Sequence, residues 1–264
     1  MQHVWKKFLP KTIQRSLLQL RQIPSRRSFH KSIYPQLHAL KCRTGYNKYG
    51  GYCVPESAIH RPAARKILAH EVYEPDTIEL IRRHSQAGDI VHAGTFFGDF
   101  LPAIAPTCKG LVWAFEPNPQ SHRCAQITCL LNDLQNVNLQ HAGLGERSKS
   151  SFVQTSNAAG EELGGASHVL DTQEVGSREV SIVSIDATIP SDRQVSIIQL
   201  DVEGYEEQAL KGALQTIRRC KPILILEIVP QSQLLQSPWL IENILGLGYQ
   251  QSTFVHGNAV LIHS

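Results

Sequence analysis

The stretch that decides the fold reads His92-Ala93-Gly94-Thr95-Phe96-Phe97-Gly98-Asp99. It follows the apolar run Ile90–Ala93 and precedes a helical pattern, so a first strand ends here and a helix begins. Two glycines let the backbone turn tightly and approach a ligand, and free amides at a helix start favour a polar or anionic group. Because such a glycine pair also occurs in ordinary packing, the turn alone does not identify a binding site.

On both sides of this turn, short apolar or β-branched runs alternate with helical patterns. The alternation predicts an α/β fold with a doubly wound, mainly parallel sheet and helices on both faces. Two final runs joined at His256-Gly257-Asn258 predict an antiparallel hairpin at the end of the sheet. The other predicted elements are the strands Leu111–Phe115, Val137–Gln140, Ile197–Leu200 and Ile223–Ile228, and one long helix over Glu206–Arg219.

An acidic residue stands at the carboxyl end of the second predicted strand, within Ala114-Phe115-Glu116-Pro117-Asn118-Pro119. Glu116 comes eighteen residues after Gly98. A carboxylate at that place and distance accepts hydrogen bonds from both hydroxyls of a ribose. Two glycines separated by three residues fit an adenosyl-sulfonium ligand better than a pyrophosphate, so we expect a cofactor of that chemistry.

A second acidic cluster, Gln199-Leu200-Asp201-Val202-Glu203-Gly204-Tyr205-Glu206, closes a strand and opens a helix. Carboxylates there suit attraction to a sulfonium cation and removal of a hydroxyl proton by a general base. We assign these tasks to Asp201 and Glu203, and interpret Glu206 and Glu207 as solvated residues of the first helical turn. Glu227 ends an apolar strand and is expected to face the same cleft, unless it pairs with a Lys or Arg.

Other chemistry at this cluster stays open. Oxygen ligands from Asp201, Glu203 and Glu227 would suit Mg²⁺, although we assign no metal to the chain. Imidazole titrates near neutral pH, which makes His168 a further catalytic candidate and His256 a weaker one.

The order of the motifs resembles the FkbM methyltransferases over residues 73–262. This resemblance implies a Rossmann-like class I methyltransferase fold, S-adenosylmethionine as cofactor, and O-methylation of a sugar hydroxyl or a sugar-containing metabolite. The acceptor would be a small molecule or a glycan. The motifs are Tyr73-Glu74-Pro75-Asp76-Thr77, Gly88-Asp89, the glycine turn, Phe115-Glu116-Pro117-Asn118-Pro119, Ala142-Gly143-Leu144-Gly145, Gly164-Gly165-Ala166-Ser167, Asp201–Glu206 and Leu226-Glu227-Ile228.

The resemblance also implies a set of cofactor-binding residues, with Leu144 beside the adenine. The family commonly begins its glycine turn with Asp and has Asn two residues after the first glycine, where this chain has His92 and Phe96. That acid helps to hold the methionine end of the cofactor, so the contact is rebuilt or weakened here. The alternatives are an RNA or protein N-methyltransferase and a non-catalytic cofactor-binding scaffold. The implied cofactor-binding residues are His92, Gly94, Thr95, Gly98, Glu116, Pro117, Leu144 and Asp201.

Charged residues are distributed unevenly along the 264 residues of the chain. Residues 1–55 carry eleven Lys or Arg and no acid, whereas the remainder holds fifteen basic and twenty-three acidic residues. We predict a basic, helical N-terminal extension at 1–45, a bridging segment at 46–72 and a methyltransferase domain at 73–264, with a substrate-side insertion at about 146–190. The extension suits a solvated helix, a transit peptide, or an arm that contacts nucleic acid or makes weak contact with an anionic surface. The acidic domain lacks a basic, aromatic stacking pattern, which argues against nucleic acid as a partner.

Six scattered cysteines show no C-x-x-C pair and no His spacing that suggests zinc. They predict reduced, buried thiols and a cytoplasmic location. No apolar run reaches the roughly 18 residues that a membrane-spanning helix needs. We therefore predict no transmembrane segment.

Overall fold

The strands predicted around the glycine turn lie at the centre of a seven-stranded sheet. A computed structural model of the protein describes residues 41–156, 163, 167–170 and 172–264. Among these residues the strands are β1 (Cys42–Asn47), β2 (Gly50–Pro55), β3 (Asp89–Ala93), β4 (Val112–Phe115), β5 (Val137–Gln140), β6 (Gly143–Leu144), β7 (Lys149–Gln154), β8 (His168–Leu170), β9 (Ser177–Val183), β10 (Val195–Leu200), β11 (Ile223–Glu227), β12 (Tyr249–Val255) and β13 (Asn258–His263).

Most helices of the described residues are short and connect consecutive strands. The longest runs over thirteen residues and begins at Pro119, with Asn118 capping its first amides. The α-helices are α1 (Pro62–Leu68), α2 (Pro75–His84), α3 (Leu101–Ile104), α4 (Pro119–Leu131), α5 (Ile185–Thr188), α6 (Glu206–Lys211), α7 (Leu214–Cys220) and α8 (Pro238–Asn243).

The central sheet has the strand order β12-β13-β11-β10-β3-β4-β5. Its five strands from β11 to β5 are parallel, whereas β13 runs antiparallel to β11 and β12 runs antiparallel to β13. This order confirms the predicted doubly wound, mainly parallel sheet that ends in an antiparallel hairpin.

Both faces of this sheet are buried, which explains why its central strands are apolar throughout. Successive side chains of a strand point to opposite faces, so Val91 and Ile198 face one core while Ile90 and Ile197 face the other. Helices α6 and α7 cover the first face, and helices α2 and α3 cover the second.

Residues 42–72 contain more regular structure than their turn formers predicted. The strands β1 and β2 pair as an antiparallel hairpin, in which Tyr52, Cys53 and Val54 are fully buried. Cys42–Ser264 forms one compact unit. The predicted boundaries of the bridge and of the methyltransferase domain stay predictions.

The predicted insertion contributes β7, β8 and β9 to a second, four-stranded sheet, in the order β6-β9-β7-β8, and β6 directly precedes the insertion. Its strands β7 and β9 alternate between buried and exposed residues and enclose a small core of Val153, Val180 and Ile182. Short strands that are half exposed give a weak sequence signal. A role for this sheet on the substrate side stays a prediction.

The prediction of one long helix over Glu206–Arg219 is wrong at its centre. The chain forms α6 and α7 as separate helices, with Gly212 and Ala213 between them. A Cβ atom at Gly212 would lie 2.0 Å from the carbonyl oxygen of Gly145, so the chain approaches a neighbouring backbone there. Glycine permits this approach because it has no side chain.

Some sequence-based expectations fall outside the described residues or are only partly addressed by them. The predicted helical extension lies outside them as far as residue 40. Within the described part of the chain, no helix has the length and apolar character that crossing a bilayer requires. All six cysteines are described and none forms a disulfide. A cytoplasmic location stays a prediction.

Candidate functional site

The carboxyl ends of four adjacent strands place four site residues in one row. Leu200 pairs with Ala93 and with Leu226, and Ala93 pairs with Phe115. The next residues along the chain are Glu116, Gly94, Asp201 and Glu227, which therefore lie side by side on strands about 4.8 Å apart. In open α/β sheets this edge is where ligands bind.

The glycine turn after β3 depends on the absence of side chains. Gly94 has a φ of +78°, and a Cβ atom there would lie 1.8 Å from the carbonyl oxygen of Asp201. Gly98 has a φ of +82° and packs against Thr128. Between them Phe96 also adopts the left-handed region, at φ 51°, which strains a residue with a bulky side chain.

Glu116 is buried and links the second strand to this turn. Its Oε2 accepts a hydrogen bond from the Phe96 amide at 2.7 Å, and its Oε1 accepts one from the Asn118 amide at 2.8 Å. Burial raises the pKa of Glu116 to about 8, although the two amides act in the opposite direction. The carboxyl is therefore held in place before any ligand arrives.

A first pocket opens beside Glu116. Of the residues predicted to bind the cofactor, Gly94, Glu116, Pro117, Leu144 and Asp201 line it, whereas Thr95 and Gly98 shape the turn and His92 lines a neighbouring pocket. The Thr95 hydroxyl donates to the His92 carbonyl oxygen at 3.1 Å. The remaining lining residues are Ala93, Phe96, Phe115, Ala142, Gly143, Ser167, Val169, Val202 and Tyr205.

The neighbouring, second pocket is rich in carboxyl groups. It shares Gly94, Phe96 and Asp201 with the first pocket, so these three residues form a common wall. The structure brings together Asp201, Glu203 and Glu227, which were predicted to be catalytic. The other lining residues are Arg61, Pro62, Ala63, Tyr73, His92, Asp99, Phe100 and Gln199.

Burial and neighbouring negative charge raise the pKa of three carboxyls in the second pocket. Burial, and then the negative charge and hydrogen bonding of Glu227, raise the pKa of Asp201 well above its usual range. Burial and the charge of Glu227 raise the pKa of Glu203 to about 7, although Arg61 lies 3.7 Å from its Oε1 and opposes the shift. Burial and Glu74 raise the pKa of Asp99 to about 7. Near neutral pH, Glu203 and Asp99 are therefore only partly ionised.

His92 is buried in the same pocket as a neutral imidazole. Burial lowers its pKa to about 4, and its ring stacks on Phe100 with centroids 5.4 Å apart. Its Nδ1 is hydrogen-bonded to the Gln199 side-chain oxygen, whereas its buried Nε2 has no partner among the described residues. When Nδ1 donates to that oxygen, Nε2 presents a lone pair to the pocket.

The two other histidine candidates lie elsewhere. His168 is the first residue of β8, and its side chain lies outside the described part of the structure. Its neighbours Ser167 and Val169 line the first pocket. His256 lies in the turn between β12 and β13, where its Nε2 is 3.2 Å from Asp76 Oδ2, and it lines neither pocket.

The interpretation of Glu206 as a solvated residue is wrong. Its side chain is 1% exposed, and Oε1 accepts hydrogen bonds from the amides of Val202 and Gly204. Glu206 therefore holds the loop that carries Glu203. Glu207 instead contacts Lys211 and Ser237.

Sequence reasoning missed Arg61, Tyr73, Asp99 and Gln199 as members of the second pocket. Gln199 could have been found from strand geometry, because it lies two residues before Asp201 and alternate residues share a face. Asp99 closes the quoted glycine turn. Tyr73 begins one of the motifs quoted above, although that motif gave it no role. Arg61 precedes the central sheet in the chain, and no local motif marks it.

The carboxyls of the second pocket do not form the most compact set of metal-binding side chains. Among the residues that the structure describes, the group of ligand atoms that all lie within 4.8 Å of one another belongs to Cys42, Cys53 and Cys124. These thiols lie on β1, β2 and α4, and they line neither pocket.

Comparison with known proteins gives one family match. Residues 92–243 match the methyltransferase FkbM domain. No curated protein sequence matches the chain.

Several solved structures are similar in fold. An FkbM methyltransferase from Methylobacillus flagellatus KT is 16% identical with a TM-score of 0.49, and the match covers 88% of this chain and 59% of that one. The tRNA (uracil-54, C5)-methyltransferase of Pyrococcus abyssi is 10% identical with a TM-score of 0.45, covering 84% and 43% of the two chains. An S-adenosylmethionine-dependent methyltransferase from Aquifex aeolicus is 14% identical with a TM-score of 0.38, covering 72% and 88%.

Proposed function

This chain belongs to the FkbM methyltransferase family, and from that premise we propose that it methylates a hydroxyl oxygen of a sugar or a sugar-containing metabolite. The observation that carries the proposal is the set of carboxyls in the second pocket, which borders the first pocket at Asp201. Ionised carboxylates accept hydrogen bonds from hydroxyl groups with both oxygens. Several of them around one cavity suit a ligand that carries many hydroxyls.

The fold is the Rossmann-like class I methyltransferase fold, and S-adenosylmethionine is the cofactor. When bound, this cofactor supplies an electrophilic methyl group on a positively charged sulfur. Its fit to the first pocket is supported by the left-handed turn at Gly94, which lines the pocket and where a Cβ atom would clash with the Asp201 carbonyl oxygen, and by the buried carboxyl of Glu116. Glu116 would accept hydrogen bonds from the ribose hydroxyls. Leu144 and Pro117 would contact the adenine side of the cofactor, and Thr95 and Gly98 would hold the turn.

His92 stands where the family commonly has an acid. Its unpartnered Nε2 offers a neutral acceptor to the methionine end of the cofactor. A neutral acceptor attracts an ammonium less strongly than a carboxylate does. Asp99 and Asp201 in the same pocket would supply the missing negative charge once a bound cation lowers their pKa values. The contact is thus rebuilt from several residues.

Asp201 is the proposed general base, because it belongs to both pockets. A hydroxyl in the second pocket would donate its proton to Asp201, while Glu203 and Glu227 accept hydrogen bonds that orient the acceptor. A base whose pKa lies near the working pH is effective, and burial beside Glu227 moves Asp201 in that direction. His168 is the alternative base.

The acidity of the second pocket also supports a second candidate function, methylation of a protein nitrogen. A lysine ammonium would be attracted to the same carboxyls. The carboxyls would repel the phosphates of RNA, so an RNA acceptor fits this pocket less well. A non-catalytic cofactor-binding scaffold is the remaining alternative.

An acceptor competition tests the proposal with the full chain. S-adenosylmethionine carrying a labelled methyl group is offered with three matched acceptor pools: neutral glycosides, a lysine-rich peptide, and RNA. We expect label in the glycosides as a methyl ether, located by mass spectrometry, and release of the demethylated cofactor in equal amount.

Each other outcome contradicts a definite part of the proposal. Label in the peptide alone would replace the sugar by a protein nitrogen. Cofactor binding in calorimetry without transfer to any pool would favour the scaffold. Binding of NADH but not of S-adenosylmethionine would contradict the cofactor assignment itself.

A further inference from the structure

Three cysteines that are far apart in the sequence meet where the β1–β2 hairpin packs on α4. Cys42 begins β1, Cys53 lies in β2, and Cys124 lies in the first half of α4. Their sulfur atoms all lie within 4.8 Å of one another, and the sulfurs of Cys42 and Cys124 are 3.3 Å apart. We call these residues the cysteine cluster.

We propose that the cysteine cluster binds one Zn²⁺ ion through three thiolates. Zinc–sulfur bonds are about 2.3 Å long, so two thiolates on a tetrahedral ion lie about 3.8 Å apart, close to the arrangement found here. A disulfide would need a sulfur–sulfur distance of about 2.05 Å. Small side-chain rotations would therefore complete the metal site.

Zinc binding requires all three side chains of the cluster as thiolates, because only thiolates coordinate the ion. The ion would therefore displace the thiol protons of Cys42, Cys53 and Cys124 as it binds.

The cluster lies away from both pockets, so the ion would join parts of the fold rather than contact a substrate. Cys53 and Cys124 are buried and Cys42 is half-buried, so a water could reach the fourth position that three protein ligands leave open. The ion would tie the hairpin to α4 at a place where hydrogen bonds already join them. Asn132 accepts from the Gly51 amide at 3.0 Å, and Thr128 accepts from the Cys53 amide at 3.1 Å.

The same contacts lead from the cluster to the glycine turn. The Thr128 hydroxyl accepts from the Cys53 amide and donates to the Phe97 carbonyl oxygen at 2.7 Å. Phe97 lies between the two glycines of the turn. Zinc at the cluster would therefore stiffen the support of the cofactor pocket without entering it.

Metal binding is tested on the full, reduced, tag-free chain. The protein is stripped with a chelator, kept reduced with a phosphine, and titrated with Zn²⁺ against a chromophoric competitor. We expect one ion per chain, and a melting temperature about 5–10 °C higher when free Zn²⁺ exceeds its dissociation constant a hundredfold. Titration with Co²⁺ should give a sulfur-to-cobalt charge-transfer band.

Serine variants assign the ligands. Cys124→Ser should weaken Zn²⁺ binding more than about a hundredfold and reduce the charge-transfer band, because a lost ligand costs more than a lost outer-shell partner. The half-buried Cys42→Ser repeats the test with less disturbance of the core. The matched control is Cys129→Ser, on the same helix five residues after Cys124, which should bind Zn²⁺ like the unaltered chain.

Three outcomes would overturn the proposal. The first is the absence of stoichiometric binding by the reduced chain. The second is binding without a sulfur-to-cobalt band, which would indicate surface histidines. The third is equal loss of binding in Cys129→Ser and in the two cluster variants, with unchanged circular dichroism.

Discussion

Two aspartates lie at opposite ends of the strands of the central sheet and differ in the partners of their carboxyls; Asp89 is buried, whereas Asp201 is half-buried. Asp89 begins β3, where its carboxylate accepts hydrogen bonds from Arg193, from the Trp113 ring at 2.8 Å and from the Leu111 amide at 2.9 Å. These partners overcome burial and lower its pKa. Asp201 follows β10, faces Glu227 and Glu203, and has a raised pKa.

The difference separates a carboxyl that stabilises the fold from one that the fold leaves for a ligand. Burying a charge is costly unless partners satisfy it. At Asp89 the protein supplies the partners itself. At Asp201 neighbouring carboxyls increase the cost, which is the arrangement expected where a ligand completes the site.

Asp201→Asn should have the largest effect of the substitutions considered, and this effect should be on turnover. The amide keeps the shape but removes the basicity, so turnover with a glycoside acceptor should fall by about 10²–10⁴ if Asp201 is the base. Steady-state kinetics gives the turnover, and calorimetry should give a nearly unchanged cofactor affinity. Near-normal turnover would exclude this role and move attention to His168 or Glu227, whereas equal losses of turnover and affinity would make Asp201 a cofactor ligand.

Asp89→Asn should give the opposite result. The free energy of unfolding should fall by about 2–3 kcal/mol, less than the full cost of breaking a buried ion pair because Arg193 can still reach water. Denaturant unfolding measures this loss. Cofactor affinity of the folded variant should match that of the unaltered chain, and Asp201→Asn serves as the matched aspartate variant. A stable Asp89→Asn protein would contradict the structural role.

Glu116 provides an intermediate case, because it lies at the ligand edge and yet has two amide partners. Glu116→Ala should weaken S-adenosylmethionine binding about ten- to a hundredfold through loss of hydrogen bonds to the ribose. Calorimetry measures the affinity. Glu79→Ala removes an exposed carboxyl that pairs with Arg83, and should have no effect. Unchanged affinity in Glu116→Ala would contradict the assignment.

The pH dependence of stability tests the raised pKa of a third aspartate, Asp99. Its pKa is raised to about 7 in the folded protein. Its contribution to stability is therefore fully present when the pH is below the pKa of Asp99 in the unfolded chain, and it is lost as the pH rises through about 7. Asp99→Asn should therefore flatten the fall of stability between pH 5 and 7 by as much as about 1 kcal/mol per pH unit. Urea unfolding across this range measures the slope, with the exposed Asp133→Asn as control. Equal slopes in the native chain and Asp99→Asn would contradict the raised pKa.

The sequence predicted the sheet well because each central strand is buried on both faces and reads as an apolar run. Glu116, Asp201 and Glu227 could also be placed, since parallel strands end at one edge and these residues follow them directly. The strands β7 and β9 and the helix break at Gly212 were not predicted, because their sequence signals are weak. In β7 and β9 only two residues of each strand are buried, and the break at Gly212 depends on the carbonyl group of Gly145, which is distant in the sequence.

The remaining failures concern contacts between distant parts of the chain. Arg61 contacts Glu203 from a segment that precedes the central sheet in the chain. No motif in the sequence predicts that contact. The cysteine cluster joins positions 42, 53 and 124. The absence of a C-x-x-C pair concealed it, because the three ligands come from two strands and a helix.

The wall shared by the two pockets has a consequence for protons. Gly94, Phe96 and Asp201 border both cavities, so a cation bound in the first lies beside the carboxyls of the second. Such a charge stabilises their ionised forms and lowers their pKa values. Linkage is reciprocal, and the affinity for the cation must therefore rise with pH to the same extent. If the methyl donor occupies the first pocket as proposed, its binding would therefore release protons from the second.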